Sequence, residues 1–290
     1  MTSPRYDTIS FLSDYGTRDE FVGVVKSVVR DLAPHVVVVD LTHEVRAFDV
    51  RAGSLILARC VPYVPAGVVL AVVDPGVGTG RHAIAVEVAG GQGVFVGPDN
   101  GLLAPAVAMA GGAERVVALT NPELQLAAPG ATFAGRDVFA PAAAHLCAGV
   151  DLAEFGEELD PHLLMPGVVP LPREEAGELL CEVLWVDRFG NCQLNVGPDD
   201  LEGWDDIVRV GVGDAGAETR VARRCATFAD IGAGAVGLVL DSYGMLAIAM
   251  DRRSAADELG IGETSPVVLR QLDGDAPEAR TSPVVIGPRR

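Results

Sequence analysis

The segment D-P-G-V-G-T-G-R, Asp74 to Arg81, holds the residue types best suited to chemistry. It follows a continuous apolar run, Val68 to Val73, that reads as a buried strand. An acid therefore stands at the C-terminal end of that strand, with glycines at 76, 78 and 80 and an arginine closing the loop. Open α/β sheets bind ligands at such strand ends. A carboxylate ending an apolar run is costly unless it is paired or functional, and Arg81 is the candidate partner of Asp74. A nucleotide-phosphate reading of the loop fails. The spacing is G-x-G-x-G, no Walker lysine follows, and the next segment, A-I-A-V-E-V, alternates as a strand where a helix N-terminus would be needed. A tight hairpin accounts for Gly78 and Gly80.

A second strand end carries S-D-Y-G-T-R-D-E, Ser13 to Glu20. Asp14 is read either as an acceptor for two vicinal hydroxyls, as in ribose recognition, or as a residue of the turn. Asp19 is an N-cap for the following helix or a partner for a ligand ammonium group, with capping the simpler reading. In G-P-D-N-G-L-L, Asp99 and Asn100 read as turn residues before a helix. In T-F-A-G-R-D-V-F-A-P, Thr132 to Pro141, Arg136 and Asp137 adjoin a helix start and Asp137 reads as its cap. W-V-D-R-F-G-N, Trp185 to Asn191, puts an acid, an aromatic and an amide on a turn. Phe189 or Phe228 could stack on a base while Asn191 bonds its edge; the alternative is a hairpin with a core aromatic. D-S-Y-G-M-L, Asp241 to Leu246, is another polar turn.

These loops need a scaffold, and the first part of the chain supplies alternating strands and helices. Strands are expected at Thr8 to Leu12, Val36 to Val39, Val68 to Val73, Ala83 to Val88, Gly93 to Val96 and Arg115 to Leu119. Helices are expected at Glu20 to Leu32, Ala52 to Val61 and Leu102 to Ala110. That rhythm implies a mainly parallel, helix-covered sheet. Between Pro161 and Gly177, four prolines in seventeen residues mark a junction. Short strands follow at Glu182 to Val186, Ile207 to Val212, Ala235 to Leu240, Leu246 to Met250 and Val267 to Leu269, which suggests a small antiparallel, barrel-like β domain. The expected domains are 1–165 and 178–290, giving an α/β fold with a smaller β domain.

Bulk properties narrow the function classes. The 290 residues carry a net charge of −18, which repels nucleic acid. No apolar segment has membrane-spanning length, and M-T-S-P-R-Y-D-T lacks the apolar core of a signal peptide. A cytoplasmic protein is expected, with neither a nucleic-acid nor a membrane partner. Cys60, Cys147, Cys181, Cys192 and Cys225 are scattered and suggest neither a disulfide framework nor a zinc site. The five histidines form no ligand-spaced cluster, so no metal is expected.

Taken in order, the six segments from S-D-Y-G to D-S-Y-G-M-L resemble the S-adenosylmethionine (SAM) hydrolases, or SAM hydroxide adenosyltransferases, relatives of the SAM-dependent fluorinase and chlorinase. The resemblance spans nearly the whole chain. It implies an N-terminal α/β domain, a C-terminal β domain and a homotrimer whose SAM sites lie between the N-domain of one subunit and the C-domain of the next. It further implies that Asp14 holds the ribose hydroxyls, that Asp19, Asp187 and Ser242 contact the methionine portion, and that Asn191 and Phe228 line the adenine pocket. No cofactor is implied. The reacting set would be Asp74, Arg81 and a histidine from a segment written F-H-G-R-D. This chain writes F-A-G-R-D and places Ala134 there. His82 adjoins Arg81, but in an extended segment its side chain leaves on the opposite face. The fluorinase has tyrosine at position 74 and a long inserted loop before its P-N-N-G-L-L counterpart. Here the stretch from Arg81 to Gly97 is short and Asp74 is retained, and a carboxylate beside the reaction path repels a halide. The expected reaction is hydrolysis of SAM to adenosine and methionine, impaired at Ala134. A non-catalytic SAM or adenosine binder is the alternative, and a halogenase stands behind both.

Overall fold

The computed structural model describes residues 4–213, 216 and 218–272. The chain divides into two compact units between Val169 and Pro170.

The first unit is a seven-stranded sheet with helices on both faces. Its strands are β1 (Thr8–Ser13), β2 (Val37–Thr42), β3 (Gly67–Val72), β4 (Ala83–Val88), β5 (Gly93–Pro98), β6 (Arg115–Ala118) and β7 (Glu158–Leu159), in the spatial order β2-β1-β3-β5-β4-β6-β7. β1 pairs in parallel with β2 and β3, and β3 with β5. β4 runs antiparallel to β5 and β6, and β7 to β6. Five strands thus point one way and only β4 and β7 the other, as the βαβ rhythm implies.

The helices are α1 (Phe21–Leu32), α2 (Val50–Cys60), α3 (Ala104–Met109) and α4 (Ala140–Cys147). All six residues of β3 are buried, and alternate side chains enter different cores. Val68, Leu70 and Val72 pack with Val25 and Val29 of α1 and with the alanine-rich α4. Val69, Ala71 and Val73 pack with Leu57 of α2 and with Ala106 and Val107 of α3. The period-two pleat therefore fills a layer on each side, which explains the unbroken apolar run. In α1, Val25 and Val29 lie one turn apart on the buried face, while Lys26 and Arg30 stand toward solvent or its edge.

Sheet order corrects one expectation. β3 and β4 are not neighbours, because β5 lies between them. The Asp74–Arg81 loop is therefore a crossing connection and not a tight hairpin. It is built from successive turns, with Val77 N donating to Asp74 O at 3.2 Å and Thr79 N to Gly76 O at 3.1 Å. Gly78 has φ +78°, a left-handed conformation that suits glycine.

The second unit contains β8 (Arg173–Glu175), β9 (Glu178–Val186), β10 (Cys192–Leu194), β11 (Ile207–Val212), β12 (Glu218–Cys225), β13 (Val236–Leu240), β14 (Leu246–Met250) and β15 (Pro266–Gln271). A short helix, α5 (Ala255–Leu259), follows β14. The order is β10-β14-β13-β12-β11-β15-β9-β8, and an additional β10–β9 pairing closes strands β9 to β15 into a seven-stranded barrel. Its core includes Val183, Leu194, Val208, Val210, Ile248 and Leu269. β8, β10, β12 and α5 were not foreseen from the sequence. β12 reads E-T-R-V-A-R-R-C and buries only Ala222, so it carries no apolar alternation to find.

Leu70 is 1 % exposed at the centre of β3. Leu70→Ala is expected to destabilise the chain by about 2–5 kcal/mol, read from urea unfolding.

Candidate active site

Two acids end neighbouring parallel strands. Asp14 follows β1 and Asp74 follows Val73, one residue beyond β3. Ser13 is in register with Val72, and Asp14 N donates to Val72 O at 3.3 Å. From β1 the chain moves outward to β2, then returns to β3 on the other side of β1. That reversal is a topological switch point, where the loops part and leave a crevice.

Arg81 returns to Asp74 in a two-pronged pair. Its Nε donates to Asp74 Oδ1 at 2.8 Å, and its terminal amino group Nη2 pairs with Oδ2. The side chains are 15 % and 7 % exposed, so the charges are largely removed from water and fixed in one geometry. The guanidinium also lies over the Phe139 ring, 5.3 Å from its centroid. Asp14 accepts from Phe48 N at 2.9 Å. Phe48 holds a left-handed φ of +69° and is 73 % exposed, an unusual state for a large aromatic. Burial pushes the Asp14 carboxyl above its ordinary pKa; the Phe48 amide and its own amide oppose this, and the charge of Asp74 adds to it. Tyr15 is pushed up strongly, chiefly by burial and then by the charges of Asp14 and Asp74, with Arg81 opposing. Asp14, Tyr15, Asp74 and Arg81 thus form one electrostatic cluster.

Asp14, Asp19, Asp74 and Ala134 all border a cleft of about 430 Å³, together with Phe48 and an aromatic wall. In that wall Tyr15, Phe21 and Phe133 meet edge-on or tilted, at centroid separations of 5.1–5.7 Å. A second cavity of about 320 Å³ is bordered by Arg81, Gln125, Asp137 and again Ala134. Ala134 thus faces both spaces. It precedes a π-helical turn, Gly135–Phe139, that leads into α4. Such turns recur at functional sites. A Cβ on Gly135 would lie 2.0 Å from Tyr15 Oη, so glycine lets the turn approach the aromatic wall.

Two capping expectations are corrected. Asp137 sits inside the π-helical turn, buried, and pairs with Arg136, whose Nε lies 2.6 Å from its Oδ1. Glu20, not Asp19, occupies the N-cap position of α1, and it makes no side-chain cap bond. Asp19 is exposed and borders the cleft. Asp99 and Asn100 are used structurally: Asp99 Oδ1 accepts from Met165 N at 2.9 Å, and Asn100 Nδ2 donates to Val73 O at 2.9 Å.

The barrel unit has its own clefts. One of about 650 Å³ and one of about 330 Å³ share Phe189, Asn191 and Phe228 as a common wall. Phe189 is 75 % and Phe228 49 % exposed, so neither is a core aromatic. Asp187 organises its own turn, with Oδ1 accepting from Phe189 N and Asn191 N, and Oδ2 from Asn191 Nδ2 at 2.8 Å. Asp241 does the same for the next turn, accepting from Tyr243 N and Met245 N, while its other oxygen accepts from Gln193 Nε2. Ser242 is exposed on that turn, in the smaller cleft. Arg252 and Arg253 border the larger cleft and were not singled out in the sequence. Phe48, Phe21 and Phe133 were also missed; isolated aromatics give no periodic signal, and only the fold gathers them.

An α/β sheet with an acid–arginine pair at its switch point, followed by a seven-stranded barrel, defines a two-unit class. Residues 9–156 match the SAM hydroxide adenosyltransferase N-terminal domain, and residues 181–268 match the C-terminal domain. The chain belongs to the SAM hydroxide adenosyltransferase family. It is 47 % identical over 253 residues to a protein of Salinispora tropica named (R)-S-adenosyl-L-methionine hydrolase, covering 87 % of this chain and 94 % of the relative. A protein of that name in Thermus thermophilus is 42 % identical over 272 residues, covering 90 % and 98 %. A fluorinase of an Actinoplanes species is 29 % identical over 272 residues, covering 83 % and 90 %. Among solved structures, a conserved protein of Thermotoga maritima superposes with a TM-score of 0.82 at 35 % identity, covering 91 % of this chain and all of that one.

The raised pKa of Asp14 gives a signed expectation. A carboxyl whose folded pKa exceeds its unfolded value loses stability as pH rises through that range, and the penalty persists above it. Asp14→Asn, which keeps an acceptor for Phe48 N, is therefore expected to raise the melting temperature at pH 7. The gain should shrink as pH falls through the carboxylate range; calorimetric scans at several pH values measure it.

Proposed function

We propose that this protein hydrolyses SAM to adenosine and L-methionine, by attack of water at C5′ of the ligand, and that Ala134 limits its rate. The observation that carries the reading is the two-pronged Asp74–Arg81 pair held at the switch point beside Asp14. The names of the relatives support the substrate and favour the R sulfonium epimer.

The chemistry asks little of the protein. A sulfonium is already a good leaving group, so methionine departs as a neutral thioether. What remains is to hold a water behind C5′, in line with the departing sulfur. Asp74 accepts that water's proton or orients it, and Arg81 fixes the carboxylate and stabilises developing hydroxide. Asp14 takes the ribose hydroxyls, and Asp19 faces the methionine portion. The aromatic wall of Tyr15, Phe21 and Phe133 suits a sulfonium cation. On the barrel, Phe228 and Asn191 meet the adenine and Ser242 the methionine end. Asp187 serves that site by shaping the turn that presents Asn191 and Phe189. A homotrimer that brings the N-domain of one subunit to the C-domain of the next would complete the site.

Ala134 is the weak point. In the F-H-G-R-D pattern a histidine at this position would complete the water's orientation; here a methyl group borders the two cavities instead. This favours a second reading, a SAM or adenosine binder without turnover.

Incubation of the purified protein with each SAM epimer, followed by chromatography, tests both readings. Adenosine is expected from the R epimer, with Asp74→Asn at least 10²-fold slower. Ala134→His is expected to raise kcat by roughly 10²–10⁴. Equal rates for Ala134 and Ala134→His would overturn the claim that this position limits turnover. Tight binding with no adenosine, even after Ala134→His, would replace hydrolysis by the binding reading.

A further inference from the structure

The loop that follows β2 grips the turn carrying Asp14 at four points. The His43 ring lies 2.8 Å from Ser13 Oγ through Nδ1. The His43 carbonyl accepts from Gly16 N at 2.7 Å. Thr17 Oγ1 donates to Glu44 Oε1 at 2.9 Å, and Phe48 N donates to Asp14 Oδ2 at 2.9 Å. His43 and Ser13 are the buried members, 5 % and 0 % exposed. Nothing in the proposed reaction uses either of them.

The imidazole is clamped on every side. Its ring meets Phe11 edge-on, 4.6 Å between centroids. Nε2 stands 3.1 Å from Asp40 Oδ1, off the line of a good hydrogen bond, and Asp40 is held in turn by Lys26 Nζ at 2.8 Å. A carboxylate only accepts, so the ring proton belongs on Nε2 and Nδ1 is the acceptor. Ser13 then donates its hydroxyl proton to Nδ1, which turns its lone pairs toward Tyr15 N, 3.4 Å away. The hydrogen-bonded chain therefore runs from His43 through Ser13 to the backbone on both sides of Asp14, with Asp40 facing the far ring nitrogen. Burying an imidazole and a hydroxyl costs more than burying an apolar pair of the same shape. Packing alone does not call for them, whereas fixing the direction of a turn does.

We infer that His43 is a positioning residue: through Ser13 and the Gly16 amide it fixes the turn that aims the Asp14 carboxylate at the nucleoside part of the ligand. The inference rests on the proposed function, in which Asp14 holds the ribose.

The test measures adenosine binding to the full chain by calorimetry. His43→Leu keeps an apolar side chain in the space but removes both ring contacts, and it is expected to weaken adenosine binding roughly tenfold or more. His43→Asn can place its amide oxygen near the position of Nδ1, and it is expected to return affinity to within a few-fold of wild type. If the effect passes through Asp14, His43→Leu adds less than about twofold in an Asp14→Ala background. Should His43→Leu fail to fold, Ser13→Ala removes the same hydrogen bond with less disturbance and carries the same expectations. Wild-type affinity in folded His43→Leu, or an equal loss with and without Asp14, would overturn the inference while leaving the proposed function standing. No adenosine binding by the wild type, or no loss on Asp14→Ala alone, would remove the premise and the inference with it.

Discussion

The double-sided burial of β3 is the constraint from which the site follows. Its alternate side chains fill the layer under α1 and α4 and the layer under α2 and α3. No polar side chain fits along it without being stranded in one core or the other. The first position where the chain can change character is the strand end, and there it places Asp74. β1 is likewise buried from Ile9 to Ser13, where the only polar side chains are the small hydroxyls of Ser10 and Ser13, and Asp14 stands at its end. Because the chain leaves these two strands in opposite directions, the two carboxylates share a crevice. Covering loops do not fill it.

Bringing two partly buried carboxylates together is unfavourable, and the structure answers each differently. Asp74 receives a guanidinium, which is itself held over Phe139 on the π-helical turn. The Arg81 guanidinium therefore ties the loop after β3 to the segment before α4. Asp14 is met by the backbone amide of Phe48, and its pKa remains raised. Tyr15, flanked by both acids, is driven further toward its neutral form. The carboxylates of Asp14, Asp19 and Asp74 against the one guanidinium of Arg81 leave the crevice with a surplus negative charge, and edge-packed aromatics line it. A cationic ligand with an apolar body would relieve both conditions, in keeping with the sulfonium substrate proposed above.

Much of this was legible in the sequence because strands and their ends carry strong local signals. The run Val68 to Val73 identified β3, and the polar residue that ends it identified Asp74. The Asp74–Arg81 pairing followed from the cost of an unpaired acid. The hairpin reading of the glycines failed because sheet order is non-local: nothing in residues 74–81 tells that β5 inserts between β3 and β4. Asp137 read as a cap because an acid near a helix start usually is one, yet here a π-helical turn draws it inside beside Arg136. The aromatic wall and the Ser13–His43 contact were invisible for the same reason. Each joins residues from separate segments; Ser13 and His43 stand 30 positions apart.

Ala134 separates the scaffold from the chemistry. The features that shape this corner belong to its neighbours. Gly135 admits the close approach of Tyr15, Arg136 and Asp137 pair within the turn, and Phe139 carries the Arg81 guanidinium. All of these survive with a methyl group at 134, so the cleft keeps its walls and its charge. What changes is the space between the two cavities that Ala134 borders, where a larger polar side chain would both fill volume and orient a water. In the proposed reaction, ligand affinity and turnover rest on different residues, and a change at position 134 would bear on the second far more than on the first.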